Sequence, residues 1–241
     1  DGVIMRTNLT LFDDIRMPLD EAIALSLESL RAYGQMYRHW CVAYSGGKDS
    51  SATVTFVAWA IREGLVPRPE SLTILYVDTR MELPPLQATA MQMLERLRVD
   101  GFRAEVVLPD MDDRFFVYML GYGVPPPKNR FRWCTPQLKV EPMMKALQGL
   151  RDQAGEKLLS LTGVRLGESA ARDARIALSC SRDGGECGQG WFQLETDAQV
   201  ADTLAPLVHW RLCHAFDWLY FETERPGYPD AREIATVYWE T

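Results

Sequence analysis

The residues whose types and spacing most clearly indicate chemistry form one short run, Ser45-Gly46-Gly47-Lys48-Asp49-Ser50. The run follows an apolar, β-compatible segment and precedes a helix-like one, so it is predicted to lie where a strand ends and a helix begins. Glycines at such a junction let the backbone approach an anion, and the free N–H groups at the helix start attract phosphate. Ser45, Ser50 and Ser51 add hydroxyl donors, and Lys48 adds a point charge. The run therefore predicts a phosphate-binding loop.

This loop is not a Walker A motif, which requires the pattern G-x-x-x-x-G-K-[ST]. Asp49 follows Lys48, and the first glycine of that pattern is missing. Asp49 supplies the carboxylate inside the loop, and oxygen ligands of this kind suit a Mg²⁺ ion that bridges phosphates. We expect Tyr44, at the end of the preceding strand, to lie near the nucleotide base.

Polar residues also follow the later predicted strands. Asp78-Thr79 comes directly after the second strand, and ligands of open α/β sheets bind beyond the carboxyl ends of the strands. The alternative for Asp78 is an N-cap of the helix that begins near Pro84. Further along, Lys139 can offer a point charge to a leaving pyrophosphate, and Arg165 can bind phosphate oxygens bidentately. Both cations can instead be ordinary surface residues.

Four segments match, in chain order, the motifs of one family. Residues 42–51 resemble the S-G-G-x-D-S signature of the PP-loop ATP pyrophosphatases, and residues 76–82 resemble the D-T-G-x-x-F-P-E-T region of phosphoadenylylsulfate reductases. Residues 131–142 resemble the C-x-x-x-K-x-x-P segment of that branch, and residues 161–172 resemble its G-x-R-x-x-x-S-x-x-R segment. The chain is identified as a member of the PP-loop class, although Arg80 stands where the family has glycine.

The resemblance implies an enzyme that cleaves ATP between the α and β phosphates and thereby adenylates a substrate. ATP and Mg²⁺ are the implied cofactors. The implied catalytic residues are Lys48, Asp49, Cys134, Lys139 and Arg165. The implied nucleotide contacts are Tyr44, Ser45, Gly46, Gly47, Lys48, Asp49, Ser50, Asp78, Thr79, Gly163, Arg165 and Arg172.

Within the branch, the likeness is greatest to the DNA phosphorothioation proteins of the DndC and SspD type. It rests on Cys134 after a tryptophan, on the cysteine-containing loop 179–187 and on the segment 210–219. The resemblance implies that a DNA backbone oxygen is adenylated before sulfur from a cysteine desulfurase replaces it. The chain is then expected to meet DNA through other proteins of a modification complex.

Two other functions stay open. One is an enzyme of sulfate assimilation, either a phosphoadenylylsulfate reductase or the small catalytic subunit of an ATP sulfurylase. The other is a non-catalytic regulatory subunit that binds ATP. The products formed from ATP separate these functions, because a regulatory subunit never forms AMP and pyrophosphate.

The sequence has five cysteines, an odd number that argues against a disulfide framework. Cys134, Cys180, Cys187 and Cys213 are predicted to gather into one metal site, and four thiolates suit a 4Fe–4S cluster. Zinc is the competing metal, although its close C-x₂₋₄-C pairs are absent. The alternative is that Cys213 is a buried apolar residue and that no site forms. Cys41 falls in the first strand and is expected in the core.

The elements that must position these residues alternate between strand and helix. That order predicts an α/β fold of the adenine nucleotide alpha hydrolase-like type, a parallel twisted sheet with helices on both faces. Residues 1–38 are expected to be an N-terminal helical segment, residues 39–178 the PP-loop ATP-binding domain, and residues 179–241 a C-terminal cysteine-containing lobe that is incomplete. The predicted helices span 19–37, 50–62 and 84–98, and the predicted strands span 40–44, 72–77, 104–108 and 158–163.

Composition narrows the function classes. The formal net charge is −7 and the sequence pI is about 5.1, which argues against a protein that coats nucleic acid by bulk electrostatics. A small basic loop at Lys128, Arg130 and Arg132 can meet a polyanion or can simply be solvated. The sequence contains no run of about 18 apolar residues, so a membrane span is not predicted. No secretory signal is visible either, and a cytoplasmic location is therefore expected.

Overall fold

The computed structural model describes residues 17–128, 131–168, 173, 191–194, 200–222, 225 and 230–240. Among these residues, no helix is both long and apolar enough to cross a membrane. The helices and strands are, in chain order, α1 Leu19–Gly34, β1 His39–Tyr44, α2 Lys48–Arg62, β2 Ser71–Val77, α3 Pro84–Val99, β3 Arg103–Val107, α4 Glu141–Ala154, β4 Leu158–Leu161, β5 Trp191–Gln193, β6 Ala201–Ala205, α5 Leu212–Tyr220 and α6 Arg232–Glu240.

The strands form one six-stranded sheet in the order β3-β2-β1-β4-β6-β5. Neighbouring strands are parallel except at one edge, where β5 runs antiparallel to β6. The chain leaves β1 toward β2 and β3 on one side and returns to place β4 on the other side. The crevice beyond the carboxyl ends of β1 and β4 is therefore the topological switch point, where open α/β sheets bind ligands. The predicted α/β fold is confirmed.

Alternation along the central strand distributes side chains to both faces of the sheet, because successive residues of a strand point to opposite sides. Trp40, Val42 and Tyr44 belong to the larger core, on the face covered by α2. Cys41 belongs to the smaller core on the other face, together with residues of α4, and is fully buried as predicted. This double burial explains why β1 reads as a nearly continuous apolar run.

An aromatic cluster fixes helix α2, whose first turn carries the phosphate loop. Phe56 contacts Trp210 and Trp218 edge-on, with ring centroids 5.5 and 5.3 Å apart. The indole N–H of Trp218 donates to Thr55 Oγ1 at 2.9 Å, so its buried polar atom is satisfied. The start of α2 is thereby held by a rigid core, which a preorganised binding loop requires.

Among the described residues, the three segments predicted from the sequence (1–38, 39–178 and 179–241) all contribute side chains to the larger core. Strands β5 and β6 come from the predicted C-terminal lobe, yet they lie in the same sheet as β1 and β4. Helix α1 comes from the predicted N-terminal segment, and its residues Ala22, Ile23 and Leu30 belong to the larger core. The helix ends at Gly34, three residues before the predicted end, where a Cβ atom would lie 2.3 Å from the Trp40 ring.

Candidate active site

The loop between β1 and α2 turns sharply at Gly46. Its φ of 76° lies in the left-handed region, and a Cβ atom at this position would lie 2.9 Å from Cβ of Ala90 on α3. Both the backbone conformation and the close packing therefore require glycine. Gly47 then caps α2, which begins at Lys48 with its first N–H groups at the carboxyl edge of the sheet.

Ser50 closes the loop from inside. Its hydroxyl donates to the carbonyl oxygen of Gly47 at 2.9 Å and accepts from the backbone N–H of Ser45 at 3.2 Å. The hydroxyl oxygens of Ser45 and Ser50 are 3.0 Å apart. The hydroxyl of Ser51 instead points into the core beside Tyr44 and is fully buried. Ser51 was expected to offer a donor to phosphate, and that expectation is wrong because its position on the helix faces the core.

The end of β4 approaches the start of α2 very closely. A Cβ atom on Gly163 would lie 2.9 Å from backbone atoms of Asp49 and Ser50. No side chain fits there unless the strand and the helix separate. Gly163 therefore permits the contact between the two backbones at the switch point, and it also lines the cavity described below.

Asp49 holds the segment that follows β4. Nε of the buried Arg165 donates to its Oδ1 at 2.6 Å, and Nζ of Lys48 lies 3.2 Å from its Oδ2. Nη1 of Arg165 donates to the carbonyl oxygen of Trp210 at 3.3 Å. Burial by itself would raise the pKa of the Asp49 carboxyl, but hydrogen bonds with Arg165 and Glu168 and the charges of Arg165 and Lys48 hold it below its ordinary value. Arg165 is thus engaged by protein groups.

The carboxylates of Asp49 and Glu168 both line the cavity beside the phosphate loop. Carboxylate oxygens are the ligands that Mg²⁺ takes from proteins, usually one or two of them beside substrate phosphates. These two residues therefore fit the predicted Mg²⁺ ion.

The loop after β2 satisfies its own polar groups. Oδ1 of Asp78 accepts from the backbone N–H of Arg80 at 2.8 Å, and Oδ2 accepts from the Gln87 amide at 3.0 Å. The hydroxyl of Thr79 donates to Oε1 of Glu82 at 3.1 Å. Asp78 and Thr79 are buried, and neither lines the cavity beside the phosphate loop. Arg80, where the family has glycine, has a left-handed φ of 59°.

A cavity of about 530 Å³ opens between the phosphate loop and α4, a size within the usual range for small-molecule sites. Its walls include eight of the predicted site residues: Tyr44, Ser45, Gly47, Lys48, Asp49, Ser50, Lys139 and Gly163. Apolar residues that the motifs do not name complete it: Val77, Val140, Met143, Met144 and Val164. One side is therefore suited to phosphates and the other to a base.

Lys139 enters this cavity from the helical turn that precedes α4. Its ammonium lies 3.5 Å from Oε1 of Glu82, and about half of its side chain is exposed. Val140 and Met143 follow it at helical spacing, which is the sequence signal that could have identified the apolar wall. The lysine is thus positioned to meet a ligand without being committed to a buried pair.

Tyr238 of α6 also lines the cavity, and sequence reasoning missed it. The backbone N–H of Lys48 donates to its hydroxyl at 3.2 Å, and Nζ of Lys48 lies 5.7 Å from the ring centroid. That N–H is one of the donors at the helix start that have no acceptor within the helix, so the hydroxyl stands where an anionic oxygen would accept. No local pattern reveals this, because 190 residues separate the partners.

The predicted cysteine site is described only in part. Cys134 is half-buried and Cys213 is exposed on α5, so the alternative of a buried Cys213 is wrong. Neither residue lines the cavity beside the phosphate loop. Cys180, Cys187 and Arg172 lie outside the described residues. Over the part of the chain that is described, no group of three metal-ligating side chains forms.

Comparisons with known proteins agree with this geometry. A family model for the phosphoadenosine phosphosulfate reductase domain matches residues 39–225. An uncharacterized protein of Methanocaldococcus jannaschii is 22% identical over 196 residues, which cover 81% of this chain and 34% of that protein. The chain thus spans about a third of the length of this relative.

Two solved structures share the fold. Phosphoadenylyl-sulfate reductase from Candida auris, in a phosphate complex, has a TM-score of 0.53 at 12% identity over 92% of this chain and 93% of that chain. The U34-tRNA thiolase NcsA from Methanococcus maripaludis, with its 4Fe–4S cluster, has a TM-score of 0.51 at 12% identity over 91% of this chain and 71% of that chain.

The sheet order and the loop at the switch point define an α/β protein of the PP-loop class. The extent of the matched family model identifies its branch: the chain belongs to the phosphoadenosine phosphosulfate reductase domain family.

Proposed function

We propose that the protein is an ATP pyrophosphatase that adenylates an acceptor for sulfur incorporation. The observation that carries the proposal is the cavity at the start of α2, which combines backbone donors and lysines with an apolar wall. A nucleotide needs both, because its phosphates require N–H donors and its base requires an apolar surface.

In the proposed reaction, the free N–H groups at the start of α2 hold the β and γ phosphates, and Lys48 and Lys139 offset their charge. An acceptor oxygen attacks the α phosphorus. The new O–P bond forms as the bond to pyrophosphate breaks, and pyrophosphate leaves with the electron pair. A sulfur nucleophile then forms a bond to the activated acceptor atom as the bond from that atom to the AMP-bearing oxygen breaks, and AMP leaves with the electron pair; where the nucleophile is a persulfide, a thiol must then reduce its S–S bond. Catalysis rests on positioning and electrostatics, as in phosphoryl transfer generally.

Asp49 and Glu168 are the residues proposed to hold Mg²⁺, which would neutralise phosphate charge when bound. Arg165 donates to the Asp49 carboxylate and does not itself line the cavity beside the phosphate loop. In the proposal Arg165 is therefore a positioning residue, and its predicted phosphate contact is replaced by this role.

The finer proposal is that the acceptor is a DNA backbone and the process DNA phosphorothioation. It is supported by the sequence likeness around Cys134 and the loop 179–187. A net charge of −7 favours contact with DNA through partner proteins, and a cysteine desulfurase is the proposed sulfur source. A cluster held by Cys134, Cys180, Cys187 and Cys213 stays a prediction, to be measured as iron and sulfide per chain after anaerobic purification.

The test is to incubate the protein with ATP and Mg²⁺ and to identify the products by ³¹P NMR. AMP and pyrophosphate are expected. Ser45→Ala and Lys48→Ala should each lower pyrophosphate formation at least ~10-fold without unfolding the protein, because a charge-assisted hydrogen bond is worth about 1.5–3 kcal/mol. Lys145→Ala is the matched control, since this exposed lysine contacts Asp110 and lines neither the cavity nor the loop.

If both loop variants form pyrophosphate at the wild-type rate, the phosphate-loop assignment is wrong. ADP and phosphate as products would assign a different reaction. ATP binding without turnover, in the presence of duplex DNA, a desulfurase and cysteine, would favour the regulatory subunit.

The matched family model favours one second candidate, a reductase of phosphoadenylyl sulfate. Such an enzyme would release sulfite from this ester in the presence of a reduced thiol and would not need ATP. Sulfite formation by the wild-type protein, abolished in Lys48→Ala but not in Lys145→Ala, would select this candidate over the pyrophosphatase.

A further inference from the structure

One stretch of the chain carries a charge opposite to that of the whole protein. Residues 114–140 contain five lysines and arginines and neither aspartate nor glutamate, whereas the formal net charge of the protein is −7. The acidic residues just before the stretch are Asp110, Asp112 and Asp113, and Asp110 pairs with Lys145. The net charge therefore conceals a positive region that can attract a polyanion.

Six aromatic residues lie in the same stretch, and five of them form one cluster around Trp133. The Trp133 ring stacks on that of Phe115, with centroids 5.3 Å apart, and lies 4.8 Å from that of Tyr118. The Phe116 ring lies 5.4 Å from that of Phe115. The Tyr122 ring lies 6.0 Å from that of Tyr118. The buried Trp133 thus supports the other four rings, directly or through one ring, and the cluster is preformed.

Three aromatic rings and one leucine of this stretch are exposed to solvent. Phe116 is 57% exposed and Tyr122 is 61% exposed. Phe131, two residues before Trp133, is 47% exposed, and Leu120 is 74% exposed. Large apolar side chains that are exposed together, and not singly, indicate a binding surface.

Two cations lie beside these rings. Backbone hydrogen bonds in both directions, at 3.1 and 2.8 Å, join Lys128 to Phe131, and Arg132 is the next residue. Both cations are exposed, and within the described part of the chain neither forms an ion pair. The Trp133 indole donates to the carbonyl oxygen of Pro125 at 3.1 Å, which ties the proline loop to the cluster. Unpaired positive charge and exposed rings are thus held together.

These features fit a single strand of nucleic acid. Its phosphates require cations, and its bases, which are not stacked within a duplex, can stack on exposed aromatic rings. An acidic protein surface would also meet the two cations, but its apolar contacts would use Leu120 as readily as a ring. The strand is favoured because three of the four large apolar side chains exposed between residues 114 and 133 are planar rings.

We propose that an aromatic surface, formed by Phe116, Tyr122, Lys128, Phe131 and Arg132, binds single-stranded nucleic acid directly. The rings stack on bases, and the two cations contact phosphates. None of these residues lines the cavity beside the phosphate loop, so strand binding does not depend on the proposed reaction. The small basic loop is then a binding element and is not merely solvated.

The experiment follows the fluorescence anisotropy of a labelled oligothymidylate of about 12 nucleotides, within the usual site size of single-strand binding folds, as the full chain is added. We expect a Kd of about 1–100 μM near physiological salt, the range of non-specific binding. The logarithm of the affinity should fall with that of the salt concentration with a slope of at least about −1.4, because each of two contacted phosphates contributes about −0.7. A duplex of the same length should bind more weakly, because its bases are already stacked.

The aromatic contacts are tested by changing ring shape at an exposed position. Phe116→Leu, which keeps an apolar side chain but loses the planar ring, should weaken strand binding about tenfold and leave the salt slope unchanged. Phe116→Tyr should bind as wild type does. Leu120→Ala is the matched control, because this side chain is exposed on the same stretch and has no ring, and binding should change less than about twofold.

The phosphate contacts are tested through the salt dependence. Arg132→Gln should weaken strand binding and reduce the magnitude of the salt slope by about 0.7. Arg68→Gln is the matched control, because this arginine is also exposed but lies outside the stretch, and it should change neither quantity.

The inference is overturned if oligothymidylate does not bind up to about 100 μM protein, the weak end of non-specific binding, or if the duplex binds as tightly as the single strand. It is also overturned if Phe116→Leu and Arg132→Gln bind as wild type does. Equal losses in Leu120→Ala and Phe116→Leu would assign the surface to a partner protein instead. Wild-type protein that forms pyrophosphate but binds no strand rejects the aromatic surface alone, and protein that binds the strand without forming pyrophosphate rejects the proposed function alone.

Discussion

Two loops that follow neighbouring parallel strands use their polar groups in opposite ways. The loop after β1, residues 45–47, leads to backbone donors at the start of α2 that face a cavity. In the loop after β2, residues 78–83, the buried Asp78 is bonded to Arg80 and Gln87 and is not free to meet a ligand. Both loops occupy the edge where α/β proteins bind ligands. Position at the carboxyl end of a strand is thus insufficient, and free hydrogen-bonding capacity distinguishes a binding loop from a structural one.

The contact that holds the first loop should show the largest effect when it is broken. Arg165→Met leaves the Asp49 carboxylate, whose side chain is 12% exposed, without its guanidinium partner. Removing one member of a buried pair costs about 3–5 kcal/mol, so the free energy of unfolding should fall by that amount. Urea unfolding measures the loss, and Arg165→Lys, which keeps the charge, should lose less.

The ion pair between Asp49 and Arg165 should also make the free energy of unfolding depend on pH in a known direction. The folded-state pKa of Asp49 is lowered from 3.8, so the stabilisation is complete above that value and is lost as pH falls through the folded-state pKa. The difference in unfolding free energy between wild type and Arg165→Met should therefore be largest near neutral pH and should shrink in acid. A difference that does not change with pH would mean that the loss comes from packing alone.

A substitution in the second loop should lower the stability of the protein and leave its affinity for nucleotide nearly unchanged. Asp78→Ala removes an acceptor from the Arg80 N–H and from the Gln87 amide, and unpaired buried polar groups cost about 1–3 kcal/mol each. Because both donors are only partly buried, the total fall in unfolding free energy should be about 1–3 kcal/mol, near the low end of the summed cost, while affinity for α,β-methylene-ATP changes less than about threefold. Asp110→Ala, at an exposed site, is the control. A loss of nucleotide affinity that exceeds the loss of stability would make the second loop a binding loop as well.

How much of the fold and of the candidate site could be predicted depends on how far apart in the sequence the interacting residues lie. The fold and the position of the loop between β1 and α2 were predictable, because the strand–helix alternation and the run from Ser45 to Ser50 are local patterns. The position of Tyr238 was not, because it reaches the site from α6, a distant part of the chain. The contact between Arg165 and Asp49 was not predictable either, since a sequence motif names a cation but not its partner. Asp49, 116 residues away, is that partner.

A smaller effect should appear where α6 meets the first loop. Tyr238→Phe removes the hydroxyl that accepts from the Lys48 N–H and leaves this donor to a phosphate oxygen. Because one hydrogen bond contributes about 0.5–1.5 kcal/mol, affinity for α,β-methylene-ATP should rise about two- to tenfold. Tyr118→Phe, outside the cavity, should change nothing. Weaker binding by Tyr238→Phe would instead show that the hydroxyl contacts the nucleotide.

The smallest effect is expected at Arg80, where the second loop departs from its family. This arginine has a φ of 59°, a conformation that costs side-chain-bearing residues about 1–2 kcal/mol and costs glycine little. Arg80→Gly should relieve that strain, but the more flexible unfolded chain and the lost contact with Asp78 offset part of the gain.

The net change in Arg80→Gly should be a stabilisation of about 0.5 kcal/mol, read as a higher midpoint of urea unfolding at unchanged slope. Arg80→Ala separates the two contributions, because it loses the Asp78 contact and keeps the strained Cβ atom. It should therefore be no more stable than wild type. If alanine and glycine stabilise the protein equally, the gain comes from removing the guanidinium and not from backbone strain. The second loop would then hold its shape through Asp78 without storing strain at Arg80.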